Sequence, residues 1–113
     1  MNQNSKSPAG KKGGLQILLP FFPEEITMIT HYIGVRKEED IVYYFNGSMP
    51  VFQHRESDID SFRYITSQFV INGNCKQVDI VKCFGVSPIS VKRWVKRYRE
   101  SKGLGDFVSK KKA

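Results

Sequence analysis

The chain has 113 residues, 40% hydrophobic and 26% charged, with a formal net charge of +7. That length holds one modest core with little room for an enzyme cleft and its supporting shell. No stretch approaches the roughly 18 uncharged apolar residues of a membrane span, so no membrane partner is expected.

The charge is unevenly placed. Residues 1–57 hold six Lys/Arg and six Asp/Glu, which sum to zero, whereas residues 58–113 hold twelve and five, which supplies the whole +7. An excess confined to one half suggests a polyanionic partner for that half, against the plainer account of a solvated helix face.

Residues 1–14, MNQNSKSPAGKKGG, are polar and aperiodic, as in a disordered basic arm. Its Lys6, Lys11 and Lys12 can enter a minor groove as a flexible arm, although a solvated tail is the better account. The apolar run Leu15–Phe22 is short, contains Pro20 and meets Pro23-Glu24-Glu25 where a signal peptide needs small residues. A cytoplasmic chain is therefore expected. Residues 15–56 are expected to form an extended strap and a small β meander packed on the helices. From Ile26 to Gln53 the residues are β-branched and aromatic, broken by Lys37–Asp40 and by Asn46-Gly47, a hairpin-type turn. Two or three antiparallel strands are expected, with Ile26–His31 helical as the alternative. Pro50 restricts its strand to an edge or its own first residues.

Residues 57–102 have the helical pattern. Ser57-Asp58 caps a helix to about Ile71, with Ile59, Phe62, Thr66, Phe69 and Val70 on one face. A second helix is expected from about Lys76 to Phe84, its apolar members Val78, Ile80, Val81 and Phe84, ended by Gly85. Ser87 caps a third, Pro88 opens it, and it runs to about Ser101. Residues 103–113 are expected to be a flexible basic tail. Cys75 and Cys83 stand eight residues apart, expected near the start and end of one short helix, roughly 12 Å at 1.5 Å per residue, too far for a disulfide. With only His31 and His54 as further soft ligands and no zinc spacing, reduced thiols and no metal are expected. No cofactor motif is present.

The third helix is the most informative. Val91, Trp94, Val95 and Tyr98 form a core stripe, and the opposite face carries Ile89, Arg93 and Lys96, flanked by Lys92 and Arg97. No acid occurs from Pro88 to Arg99. Cations facing phosphates supply non-specific affinity by counterion release, and side chains in the first turns of a groove-inserted helix reach base edges. On this reading Ile89 meets a thymine methyl and Arg93 a guanine, while Lys92, Lys96 and Arg97 take phosphates and Ser87 holds the start of the helix.

Ser61–Tyr98 resembles the helix-turn-helix of bacterial transposases and related homeodomain-like DNA binders. The pattern is Gln77 opening the second helix, Ile80-Val81 inside it, Phe84-Gly85-Val86 through the turn, Ser87 as cap, then Val91 and Trp94. One departure is Val81, where the family usually has Ala; the larger side chain should push the two helices slightly apart. The upstream text from Val42 also looks like the amino-terminal part of some transposase-like proteins. The resemblance implies a mainly α fold: a three-helix, homeodomain-like helix-turn-helix domain with a small N-terminal antiparallel β meander. It also implies sequence-directed binding of double-stranded DNA, as the binding part of a transposase-like system without its catalytic domain.

No carboxylate triad, nucleophile arrangement or glycine-rich phosphate loop is evident, so no catalysis by this chain is expected. Two accounts of its length follow. It is a first frame or remnant of a transposable element whose catalytic subunit is encoded separately, or a complete small transcription regulator. A protein-interaction adaptor with a basic helix is the rival from another class. Helix-turn-helix units often work in pairs, and the meander offers an edge for a homodimer.

Overall fold

A computed structural model describes residues 19–110. The expected arm at 1–14 and the terminal Lys111-Lys112 lie outside the described residues. Four strands, β1 (Thr27–Met28), β2 (Ile33–Glu38), β3 (Ile41–Asn46) and β4 (Met49–Arg55), precede four helices, α1 (Ile59–Ile71), α2 (Gln77–Phe84), α3 (Pro88–Arg99) and α4 (Leu104–Lys110).

This corrects the expected fold class. The strands form one antiparallel sheet in the order β1-β2-β3-β4, strands making up 23% and helices 43% of the fold. The protein is therefore an α-and-β fold, not a three-helix helix-turn-helix bundle with a minor meander. The physical reason is burial. Ile33, Val35, Val42 and Tyr44 alternate onto one sheet face and are at most 1% exposed. They share one core with Phe62, Phe84, Val91 and Trp94. The sheet is thus half of the core rather than a cover on a finished helical domain.

Local signals explain the boundaries. Gly47 at φ 64° makes the β3–β4 turn, and Glu39 at φ 57° makes the turn after β2, one residue inside the polar break. Pro50 sits near the start of β4, an edge strand that tolerates its missing N–H. Ile26–His31, with helix as the alternative, contains the short strand β1. In the strap, the Phe21 N–H donates to Phe84 O at 2.8 Å and Phe22 is buried against Phe62 and Phe84.

α1 mediates between the layers. Phe69 packs on Tyr44 and Phe52 of the sheet, and Phe62 packs on Phe84 and Trp94 from the other helices. Asp58 caps α1, its carboxylate accepting from the Ser61 N–H at 3.1 Å. The segment expected to be a flexible tail instead contains α4. Phe107 is fully buried there, against Tyr64, and that contact gives a seven-residue helix a reason to form.

Candidate nucleic-acid interface

α2 and α3 are joined by a short turn whose geometry follows from three residues. Gly85 at φ 71° takes the left-handed conformation that ends α2. Ser87 Oγ accepts from the Ser90 N–H at 3.1 Å and donates to Ser90 Oγ at 2.9 Å, and Pro88 occupies the first turn. At the start of α2 the Lys76 N–H donates to an Asp79 carboxylate oxygen at 2.8 Å. α3 then packs on α1 and α2 through Val91, Trp94 and Val95, all at most 5% exposed.

This packing leaves the opposite side of α3 open. Ile89 is 63% exposed, and Lys92, Arg93 and Lys96 are exposed with it. Several other large apolar side chains are equally exposed, Leu19, Phe21 and Met49 among them, so what distinguishes Ile89 is its place among the cations of this face. Of the six residues picked out from sequence, these four share the free face. The other two do not. Ser87 is half-buried and its hydroxyl is used by the helix cap. Arg97 is half-buried beside α4, its guanidinium carbon 4.0 Å from the centre of the Phe107 ring.

Two clefts flank the free face. On the α2 side, Gln77, Lys92, Lys96, Arg99 and Glu100 line one of about 540 Å³. On the α1 side, Arg63, Ser90, Arg93, Trp94 and Arg97 line a smaller one of about 180 Å³. Arg63 lies 5.5 Å from the centre of the Trp94 ring. Burial and the neighbouring Arg63 charge lower the Arg97 pKa, partly offset by Asp60. Sequence reading missed Arg63, because on α1 it is one cation among apolar neighbours and only the packing of α1 on α3 brings it to Arg93 and Arg97. Its partial signal was position: no acid stands one turn after it on α1.

The remaining reactive groups are occupied or muted. His54 Nδ1 lies 2.6 Å from the Arg55 carbonyl, which can only accept, so Nδ1 carries the proton and Nε2 accepts from the Tyr44 hydroxyl at 2.8 Å. Burial lowers the His54 pKa, and burial pushes the Cys75 thiol up to about 12 and the Cys83 thiol up to about 11. A larger cleft of about 690 Å³ lies beside Cys75, where that raised pKa leaves little nucleophilic thiolate. Among the described residues no group of three metal-ligating side chains occurs, and no helix is long and apolar enough to cross a membrane.

No family model, curated protein or solved structure matches this chain.

Proposed function

We propose that this protein binds double-stranded DNA by laying the free face of α3 in the major groove. The observation that carries the reading is the exposed set Ile89, Lys92, Arg93 and Lys96, on the side of α3 that the core leaves free. The dimensions support it: a helix with its side chains is about 10–12 Å across, and the major groove is about 12 Å wide. So does the flanking charge. Lys92, Lys96 and Arg99 lie toward α2, while Arg63, Arg93 and Arg97 lie toward α1, so each side of the helix offers cations to one phosphate strand. Within this reading Ile89 addresses base edges, while Arg93, on the α1 side with Arg63 and Arg97, and the other cations address phosphates.

The chain acts by binding rather than by chemistry, a reading supported by the raised thiols and by a His54 whose two nitrogens are both engaged. A cytoplasmic protein working at the chromosome follows from the same proposal. Membership of a transposase-like system rests on the Gln77-to-Trp94 pattern, and the DNA downstream of the gene tests it. Carboxylate-bearing strand patterns in another frame favour a separately encoded catalytic subunit, and their absence favours a stand-alone regulator.

Fluorescence anisotropy of a labelled duplex from the flanking DNA, against a scrambled duplex over a salt series, tests the binding itself. With four or five phosphate contacts, log K falls against log salt with a slope of about −4 to −5. A flanking-site preference that persists at high salt supports base readout. Absence of binding to either duplex overturns the proposal.

A further inference from the structure

The cleft between α1 and α3 has a property that groove insertion alone does not require. Three residues that line this cleft carry four buried donor atoms, Arg63 Nε, Arg97 Nε, Arg97 Nη2 and Trp94 Nε1, with no hydrogen-bond acceptor among the described residues. Buried polar groups are nearly always satisfied, so a set of unpartnered donors on one small cavity calls for an acceptor. Ser67 Oγ is also buried and unpartnered, but it does not line the cleft.

Two of the three arginines are held against aromatic rings. Arg63 rests over Trp94 and Arg97 over Phe107. An aromatic face attracts a guanidinium while using none of its N–H groups, so both side chains are braced with donors to spare. Arg93 stands at the exposed mouth, one turn before Arg97 on the same helix. Asp60 lies near enough to Arg97 to offset part of the mutual repulsion, leaving two net positive charges on these four residues. A volume of about 180 Å³ is well below the roughly 300–1,000 Å³ of a drug-sized pocket and suits a small group.

We propose that this cleft is a phosphate-binding site in which Arg63, Arg93 and Arg97 grip one tetrahedral anion, with the Ser90 hydroxyl at its rim. Phosphate is acceptor-rich and planar guanidinium forks match its oxygens in pairs. Seating it offers an acceptor beside the Trp94 indole and the Arg63 guanidinium that rests over it, so the indole N–H reports occupancy. The duplex-binding reading supplies the source of the phosphate, a backbone phosphodiester on the α1 side of α3. The site itself stands on the cleft alone, and a free phosphate or phosphorylated small molecule has the same chemistry.

The test uses the full chain and inorganic phosphate, with chloride at matched ionic strength as control. Trp94 is the sole tryptophan, so one indole N–H resonance reports on the cleft, and the arginine Nε–H resonances report alongside it. Saturable shifts of Trp94, Arg63 and Arg97 are expected, weakened about tenfold by Arg63→Gln and by Arg93→Gln, the latter at an exposed position that leaves the fold intact. If Arg63→Gln also makes the salt slope of duplex binding shallower by about 0.9, the phosphate belongs to DNA. If the wild-type chain saturates with phosphate but binds no duplex, the DNA reading fails, the site stands and its ligand is a free phosphate. A linear, chloride-like response, or saturation unchanged in both variants, overturns the site whether or not duplex binds.

Discussion

On the sheet, Arg36 meets Glu38 at 3.2 Å, Lys37 meets Glu56 at 3.1 Å and Arg55 meets Asp40 at 3.3 Å. On α3, five cations stand between Pro88 and Arg99 with no acid among them. The buried polar groups differ in the same way. In the sheet, Tyr44, His54 and the Arg55 carbonyl close a hydrogen-bonded chain. At the α1–α3 cleft, donors of Arg63, Trp94 and Arg97 are left without acceptors. One region satisfies itself and the other is arranged for something outside. The difference teaches that the net charge of +7 is not a general property of this surface; it marks where an anion is expected.

The largest expected effect tests whether the two regions are one folding unit. Phe62 is fully buried and touches Phe22 of the strap, His54 of the sheet, and Phe84 and Trp94 of the helices. Phe62→Ala is expected to cost about 3–5 kcal/mol of stability in urea unfolding. Far-ultraviolet circular dichroism and Trp94 fluorescence should still report a single transition. Separate transitions would show that sheet and helices fold independently.

Neutralising charge on each region in turn sharpens the contrast. Arg93→Gln with Lys96→Gln should make the salt slope of duplex binding shallower by about 1.8 and weaken binding at low salt by on the order of a hundredfold. Unfolding stability should change by less than about 0.5 kcal/mol. The matching pair on the sheet, Lys37→Gln with Arg55→Gln, should leave duplex binding unchanged. Equal losses from both pairs would mean that binding follows net charge rather than α3.

The closed chain around His54 predicts an acid sensitivity that belongs to the sheet. Its pKa is lowered in the folded state from an ordinary value of 6.5, chiefly by burial. Between the lowered folded value and 6.5 the unfolded state binds more protons, so stability rises with pH across that window. The contribution is full above 6.5 and is lost as pH falls toward the folded value. His54→Gln should flatten this part of the stability curve measured by thermal unfolding from pH 7 downward. An unaltered curve would remove His54 as the cause.

The smallest effect concerns base readout. Ile89→Val removes one methylene from an exposed side chain. If that methylene meets a thymine methyl, preference for the cognate duplex should fall about fourfold, with the salt slope unchanged. An unaltered preference would remove Ile89 as the base-reading residue.

Much of the helical half was legible. Asp58, Gly85, Ser87 and Pro88 are residue types whose backbone or capping preferences act within four residues, and each marks a real helix boundary. The core stripe of α3 was legible for the same kind of reason, since one helical period decides which side chains share a face. Other features were not. Val78 matched the apolar pattern of α2 yet is 49% exposed, while Ile65 and Ser67, outside the expected face of α1, are buried because both the sheet and α3 pack on that helix. α4 gave no periodic signal over seven residues and forms against Tyr64, forty-three residues before Phe107.

Sequence alone determined the elements whose causes are local: the caps, the turns, the basic face of α3 and the confinement of positive charge to residues 58–113. Tertiary structure decided whether the sheet is accessory or half of the core, because alternation of apolar residues says that one face is buried but not how much of the molecule it buries against. It also decided the α1–α3 cleft. Arg63 and Arg97 are thirty-four positions apart in the chain, and no local rule brings them together; the packing of Phe62 on Trp94 does.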